Sequence, residues 1–165
     1  MAARGVHFAL SESERTQIDQ CREMSRRDAS RKSIELIEEI EERWDREWLC
    51  ETDKAWDCIH RTLTSVLPDD IQDSVSPLQW CIWDAEQLTE DDAEYFISFV
   101  SDERVATVSE ELSKVDRRTF ADQLKRAVPE EAGEVDYFWD HFFALVRFYQ
   151  KAARDGRSVL FSVDQ

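Results

Sequence analysis

The sequence predicts an α+β fold: a mostly helical single domain with a small antiparallel sheet that includes the N- and C-terminal strands. Three observations carry this expectation. Val6, Phe8 and Leu10 alternate with His7 and Ala9 at one end, and Val159, Phe161 and Val163 alternate at the other. That spacing of two is the period of a strand. The chain between them is dominated by apolar residues three and four apart, the helical period. The 165 residues include only three glycines and three prolines, too few for a flexible linker. One domain over residues 1–165 is therefore expected, large enough to bury a core without disulfide or metal support.

The elements follow in order. Ser11 with Glu14 forms a capping box that opens a helix, and Ile18, Cys21 and Met24 share its apolar face. The basic cluster Arg22, Arg26, Arg27, Arg31 and Lys32 lies around its end, where positive charge suits the helix dipole. A second helix is expected from Ser30 to Leu49, with Ile34, Ile37, Ile40, Trp44 and Trp48 as its apolar stripe and glutamates on the wet side. Thr52 or Asp53 then caps a third, which buries Trp56, Ile59, Leu63 and Val66 and stops at Pro68. Ser76-Pro77 reads as an N-cap followed by a first-turn proline, opening a short helix through Trp83.

Tyr95 to Val100 is too apolar for a loop and is assigned as a buried strand. Ser101 caps a helix bearing Val105, Val108 and Leu112. Asp116 caps another, bearing Phe120 and Leu124. The last helix runs from Glu134 to Arg154 on Phe138, Phe142, Leu145, Val146 and Tyr149, and Gly156 supplies its left-handed cap. The closing strand follows, with helices packed against one sheet.

The stretch Asp53-Lys54-Ala55-Trp56-Asp57-Cys58-Ile59-His60-Arg61-Thr62-Leu63-Thr64 resembles the hallmark segment of the YfbM-like family, also called DUF1877. The order of other pieces is similar to that family over nearly the whole chain. These are the opening strand Gly5 to Leu10, the strand-then-helix piece Tyr95 to Leu112, and the aromatic helix, glycine and terminal strand from Tyr137 to Val163. The resemblance implies an α+β fold and carries over no catalytic residue. Ser65 stands where the family usually has a glycine after the Leu-Thr pair, and the acidic stretch after it is particular to this chain.

Composition limits the function. Acids outnumber bases 37 to 21, a net charge of -16, which argues against nucleic acid or an anionic membrane as direct partner. No apolar run reaches the roughly 7–15 residues of a secretory signal or the roughly 18 of a membrane span, so a cytoplasmic location is expected. The glycines are too scattered for a P-loop or a dinucleotide turn, and no GxSxG or HExxH occurs. Cys21, Cys50, Cys58 and Cys81 form no CxxC pair and are expected to be reduced. Zinc held by Cys50, Cys58, His60 and Cys81 is disfavoured, because side chains two apart diverge on a helix. No metal and no cofactor is expected.

Two classes of function remain. Residues 1–32 hold seven bases and five acids, whereas residues 62–103 hold eleven acids and no base. Such a density repels itself, and it speeds encounter with a basic partner. Asp69, Asp70, Asp73, Trp80, Trp83, Asp84, Glu86, Glu90, Asp91 and Asp92 are the candidate partner-binding residues, with tryptophan as the interface anchor. The expected partner is a basic protein surface, such as that of a nucleic-acid-acting enzyme or toxin bound by its inhibitor or immunity protein. The alternative is a small enzyme or ligand binder with a pocket at Asp53, Trp56 and His60, spaced to share one helical face. His60 beside a carboxylate can serve as a base. Against this, spacing fixes no second catalytic group, and a packed histidine bonded to a backbone carbonyl explains His60 as well. His7 is expected at a solvated rim and His141 at the surface. The acid pairs, including Asp69-Asp70 and Asp91-Asp92, lack a glycine-turned cation loop and read as solvated.

Overall fold

The computed structural model describes residues 3–65 and 76–164. In chain order the elements are β1 (Gly5–Ala9), α1 (Glu12–Cys21), α2 (Arg26–Arg43), β2 (Leu49–Asp53), α3 (Ala55–Thr64), α4 (Pro77–Trp80), β3 (Glu86–Gln87), β4 (Tyr95–Val100), α5 (Asp102–Ser113), α6 (Arg117–Ala127), a 3-10 turn (Pro129–Glu131), α7 (Val135–Arg154) and β5 (Val159–Asp164). The five strands form one antiparallel sheet in the order β2-β1-β5-β4-β3. The first and last strands are adjacent, with His7 opposite Phe161, so the expected α+β class and the pairing of the two ends are both present.

Helices cover the sheet on both faces. Val6, Phe8, Ile97, Phe99 and Leu160 pack against Ile18 of α1 and Leu36, Ile37 and Ile40 of α2. On the other face, Ala9, Phe96, Val100, Phe161 and Val163 meet α3 to α7 through Ile59, Leu63, Leu78, Val108, Phe120, Phe142, Leu145 and Tyr149. Burial of each such side chain contributes about 1.5–3 kcal/mol. This second cover explains why all five residues of β1 are buried. The alternation that predicted a half-buried strand, with His7 outside, marks instead which helical layer each side chain faces.

The capping predictions at Ser11, Ser76, Ser101 and Asp116 hold, each side chain accepting from the first turn of its helix. Gly156 has φ +62 and ends α7 as predicted. Several expectations fail. The second helix opens at Arg26 after Ser25 rather than at Ser30, so Arg26, Arg27, Arg31 and Lys32 lie in its first two turns instead of at the end of α1, and the short helix after Ser76 stops at Trp80 rather than Trp83. The second helix stops at Arg43 rather than Leu49, because Trp44 adopts a left-handed conformation at φ 43. Residues 49–53 are then strand β2, and Trp48 leaves the helical stripe. The third helix begins at Ala55 after Lys54, with no side-chain cap, while Asp53 turns the chain at φ 44. Met24 lies beyond the end of α1 and is exposed. Val66 and Pro68 lie outside the described residues.

The charge asymmetry is partly settled inside the molecule. Arg22 Nε donates to Glu86 at 2.8 Å, and Arg26 donates to Asp91 at 3.2 Å. The Glu90 backbone N–H donates to Ser30 Oγ at 3.1 Å. The basic cluster around α1 and α2 therefore lies against the acidic turn between β3 and β4. Glu14 binds both the Ser11 backbone and Arg43, joining the start of α1 to the end of α2.

Candidate functional site

The segment after α4 carries Trp83 and Asp84 outward while its own backbone is held from below. His7 Nε2 lies 2.6 Å from the Cys81 carbonyl oxygen, and the Tyr149 hydroxyl lies 3.2 Å from the same atom. Ser98 Oγ donates to the Ile82 carbonyl at 2.8 Å. A carbonyl oxygen only accepts, so Nε2 carries the imidazole proton. Nδ1 of the same ring is buried without a partner among the described residues. Burial pushes the His7 pKa down to about 4, outweighing backbone contacts that oppose it, so this ring is neutral near pH 7. His7 is thus a buried support, which corrects the rim position expected from alternation. Phe148 and Tyr149 of α7 make edge-type contacts with its ring, Phe161 of β5 lies nearer still, and no periodicity in β1 reports that.

Held this way, Trp83 lies on Phe96 with ring centroids 4.0 Å apart and planes 4° from parallel. Trp56 is parallel to Trp83 at 5.8 Å. Trp56 in turn lies directly over Gly5, where an added Cβ would stand 2.7 Å from the indole, and its Nε1 donates to the Ala3 carbonyl at 2.9 Å. Trp83 remains 38% exposed. The aromatic stack is therefore anchored at its base and open at its rim.

Asp84 Oδ2 is 3.7 Å from His60 Nε2, an electrostatic contact too long for a hydrogen bond. Among the described residues His60 Nδ1 is buried without a partner, and the backbone-carbonyl bond expected for this residue is absent. Burial lowers the His60 pKa, while Asp84 and Asp57 pull it upward. Asp57 was missed in the sequence, although its position three residues before His60 on a helix is the signal for it. Asp53 belongs to the end of β2 rather than to α3, and its charge acts on Tyr137, whose pKa is raised mainly by burial.

The two candidate sets thus meet: Trp56 and His60 from one, Trp83 and Asp84 from the other. Among the described residues, the remaining candidate acids do not join them. Glu86 and Asp91 are paired with Arg22 and Arg26. Glu90 is partly buried beside Ser30, and Asp92 is exposed near Arg27 and Arg31. Trp80 is half-buried beneath the Arg104 guanidinium, 4.7 Å from its ring centroid. Asp69, Asp70 and Asp73 lie outside the described residues.

All four cysteines are free and buried. Burial pushes the Cys50 and Cys58 thiols up to about 12, so neither is a nucleophile near neutral pH. Among the described residues, no three His, Cys, Asp or Glu side chains gather as a metal site would require. No helix among them is long and apolar enough to cross a membrane.

A family model described as a domain of unknown function, DUF1877, matches residues 1–162. The fold is similar to the crystal structure of YfbM, a protein of unknown function from Escherichia coli. The TM-score is 0.66 with 17% identity, over 97% of this chain and 99% of that one. At that identity the likeness speaks for the fold alone. No curated protein matches.

Proposed function

The chain belongs to the DUF1877 family, and from that premise we propose that it is a non-enzymatic binding protein whose acidic, tryptophan-bearing face occupies a basic surface of another protein. The observation that carries this reading is the exposed rim of Trp83. A large indole is held open to solvent by a buried stack and a pinned backbone, with Asp84 next to it and Asp57 nearby. A rigid aromatic anchor surrounded by charge is the arrangement that concentrates binding energy at protein interfaces. The surplus of acids over the whole chain, net -16, steers such a face toward a cationic partner. An inhibitor or immunity-type protein of a nucleic-acid-acting enzyme, working in the cytoplasm, fits this chemistry.

The test is association kinetics with the basic partner over a salt series. The parent is compared with Trp83→Ala and with the double variant Asp57→Asn/Asp84→Asn. Truncation of Trp83 is expected to weaken binding by about 2–4 kcal/mol, chiefly through faster dissociation. The double variant is expected to slow association and to flatten its salt dependence. Rates indifferent to salt and to both variants would remove this face from any binding role. His60 supports a second role, since its Nε2 faces Asp84, Asp57 also acts on the ring, and its buried Nδ1 has no partner among the described residues. A small-molecule activity lost in His60→Gln but retained in Trp83→Ala would favour an enzyme or ligand binder instead.

A further inference from the structure

A second surface of opposite charge lies between β2 and α7. It is an open cleft of about 710 Å³, walled by Leu49, Cys50 and Glu51 on one side and by α7 on the other. Arg147, Lys151 and Arg154 recur along α7 at the spacing of one helical stripe, and Arg46 completes the lining from the turn before β2. Both acids of the cleft are already engaged. Glu47 accepts from Lys151 Nζ at 3.2 Å, and Glu51 pairs with Arg4 at 3.5 Å. Arg46, Arg147 and Arg154 are exposed and make no ion pair among the described residues. In a chain of net charge -16, three arginines without a carboxylate around one cleft form a local reversal of sign.

The wall opposite them is the end strand of the sheet. An end strand presents a row of peptide N–H and C=O groups with no strand partner. Arg147 and Arg154 are separated by about 10 Å along the helix, a distance an extended peptide covers in about three residues. We propose that this cleft binds an acidic, extended peptide segment of a partner protein as a further strand along β2, its carboxylates reaching the arginines of α7. Backbone pairing with β2 would supply affinity, and the arginine stripe would select for acid, the division of labour found in strand addition. A polynucleotide fits less well, because the acidic remainder of the molecule repels a long phosphate chain. None of the lining residues belongs to the Trp83 face, so the two surfaces stand or fall independently.

The experiment is selection of random decapeptides displayed on phage, followed by fluorescence anisotropy with the best peptide synthesised and labelled. Two acids within three residues are expected in the selected sequences, with backbone amide protection at Leu49 and Glu51 on binding. The exposed double variant Arg147→Ala/Arg154→Ala, checked for an unchanged melting temperature, is expected to weaken binding at least ten-fold. N-methylation of alternate peptide amides is expected to do the same. Selected peptides without acids, no selected peptide at all, or protection elsewhere would overturn the proposal. It would equally be overturned by binding that survives N-methylation while inorganic tripolyphosphate competes, since that outcome marks a polyanion site with no strand pairing.

Discussion

Gly5 and His7 sit two residues apart in β1 and work on the same face of the sheet. Gly5 is required because Trp56 occupies the space its side chain would fill. Gly5→Ala is expected to displace the indole, costing about 1–3 kcal/mol as overpacking does, and to change tryptophan fluorescence. Urea denaturation and an emission spectrum check both. His7 gives the protein a pH dependence of definite sign. In the folded chain its pKa is about 4, against 6.5 when solvated. Between these values the unfolded chain takes up a proton that the folded chain refuses. Stability is therefore full above pH 6.5, falls as pH drops toward 4, and loses no more on this account below it, a total of about 3 kcal/mol. Urea denaturation from pH 7.5 to 4 is expected to show the slope, and His7→Gln, less stable at pH 7, is expected to flatten it. Glu14, whose pKa is lowered by its bonds to Ser11 and Arg43 against the cost of burial, adds a loss at lower pH still.

At the scale of elements, most of the fold was legible because helix starts have chemical signatures. Ser11, Ser76, Ser101 and Asp116 each announce a first turn by a side-chain oxygen. Ends are less legible. The stop at Trp44 is made by a left-handed residue that is neither glycine nor asparagine, so propensity pointed past it and concealed β2. β3 has only two residues, too few for any period. The departure at Ser65 has a simple account: its φ is -72, a conformation that does not require glycine. The candidate site was half legible. Trp83, Asp84, Trp56 and His60 stood out by type and spacing, but the supports at His7, Ser98 and Tyr149 come from three distant elements that only tertiary packing unites. The bridges from α1 and α2 to the acidic turn are exposed, so Arg22→Ala and Arg26→Ala are each expected to cost less than about 1 kcal/mol. Thermal melts at low and at high salt check this, and the effect is expected to vanish at high salt.

For the whole molecule, the two helical layers share one sheet, and we propose that residues 1–165 unfold as one unit. A single calorimetric transition with equal calorimetric and van't Hoff enthalpies is the expected outcome. Two resolved transitions would divide the chain instead.

The strand order also governs when the molecule can form. β5 lies between β1 and β4, although it leaves the ribosome after all four of the other strands. Until then β1 has β2 alone beside it, and the later pair β3 and β4 is separated from them by an empty central lane. Helices can form early from local contacts, but the sheet is completed only by its final strand, which joins residues about 150 positions apart. Nascent chains arrested before Val159 therefore expose two apolar strand edges at once, the condition under which a growing polypeptide depends on chaperones.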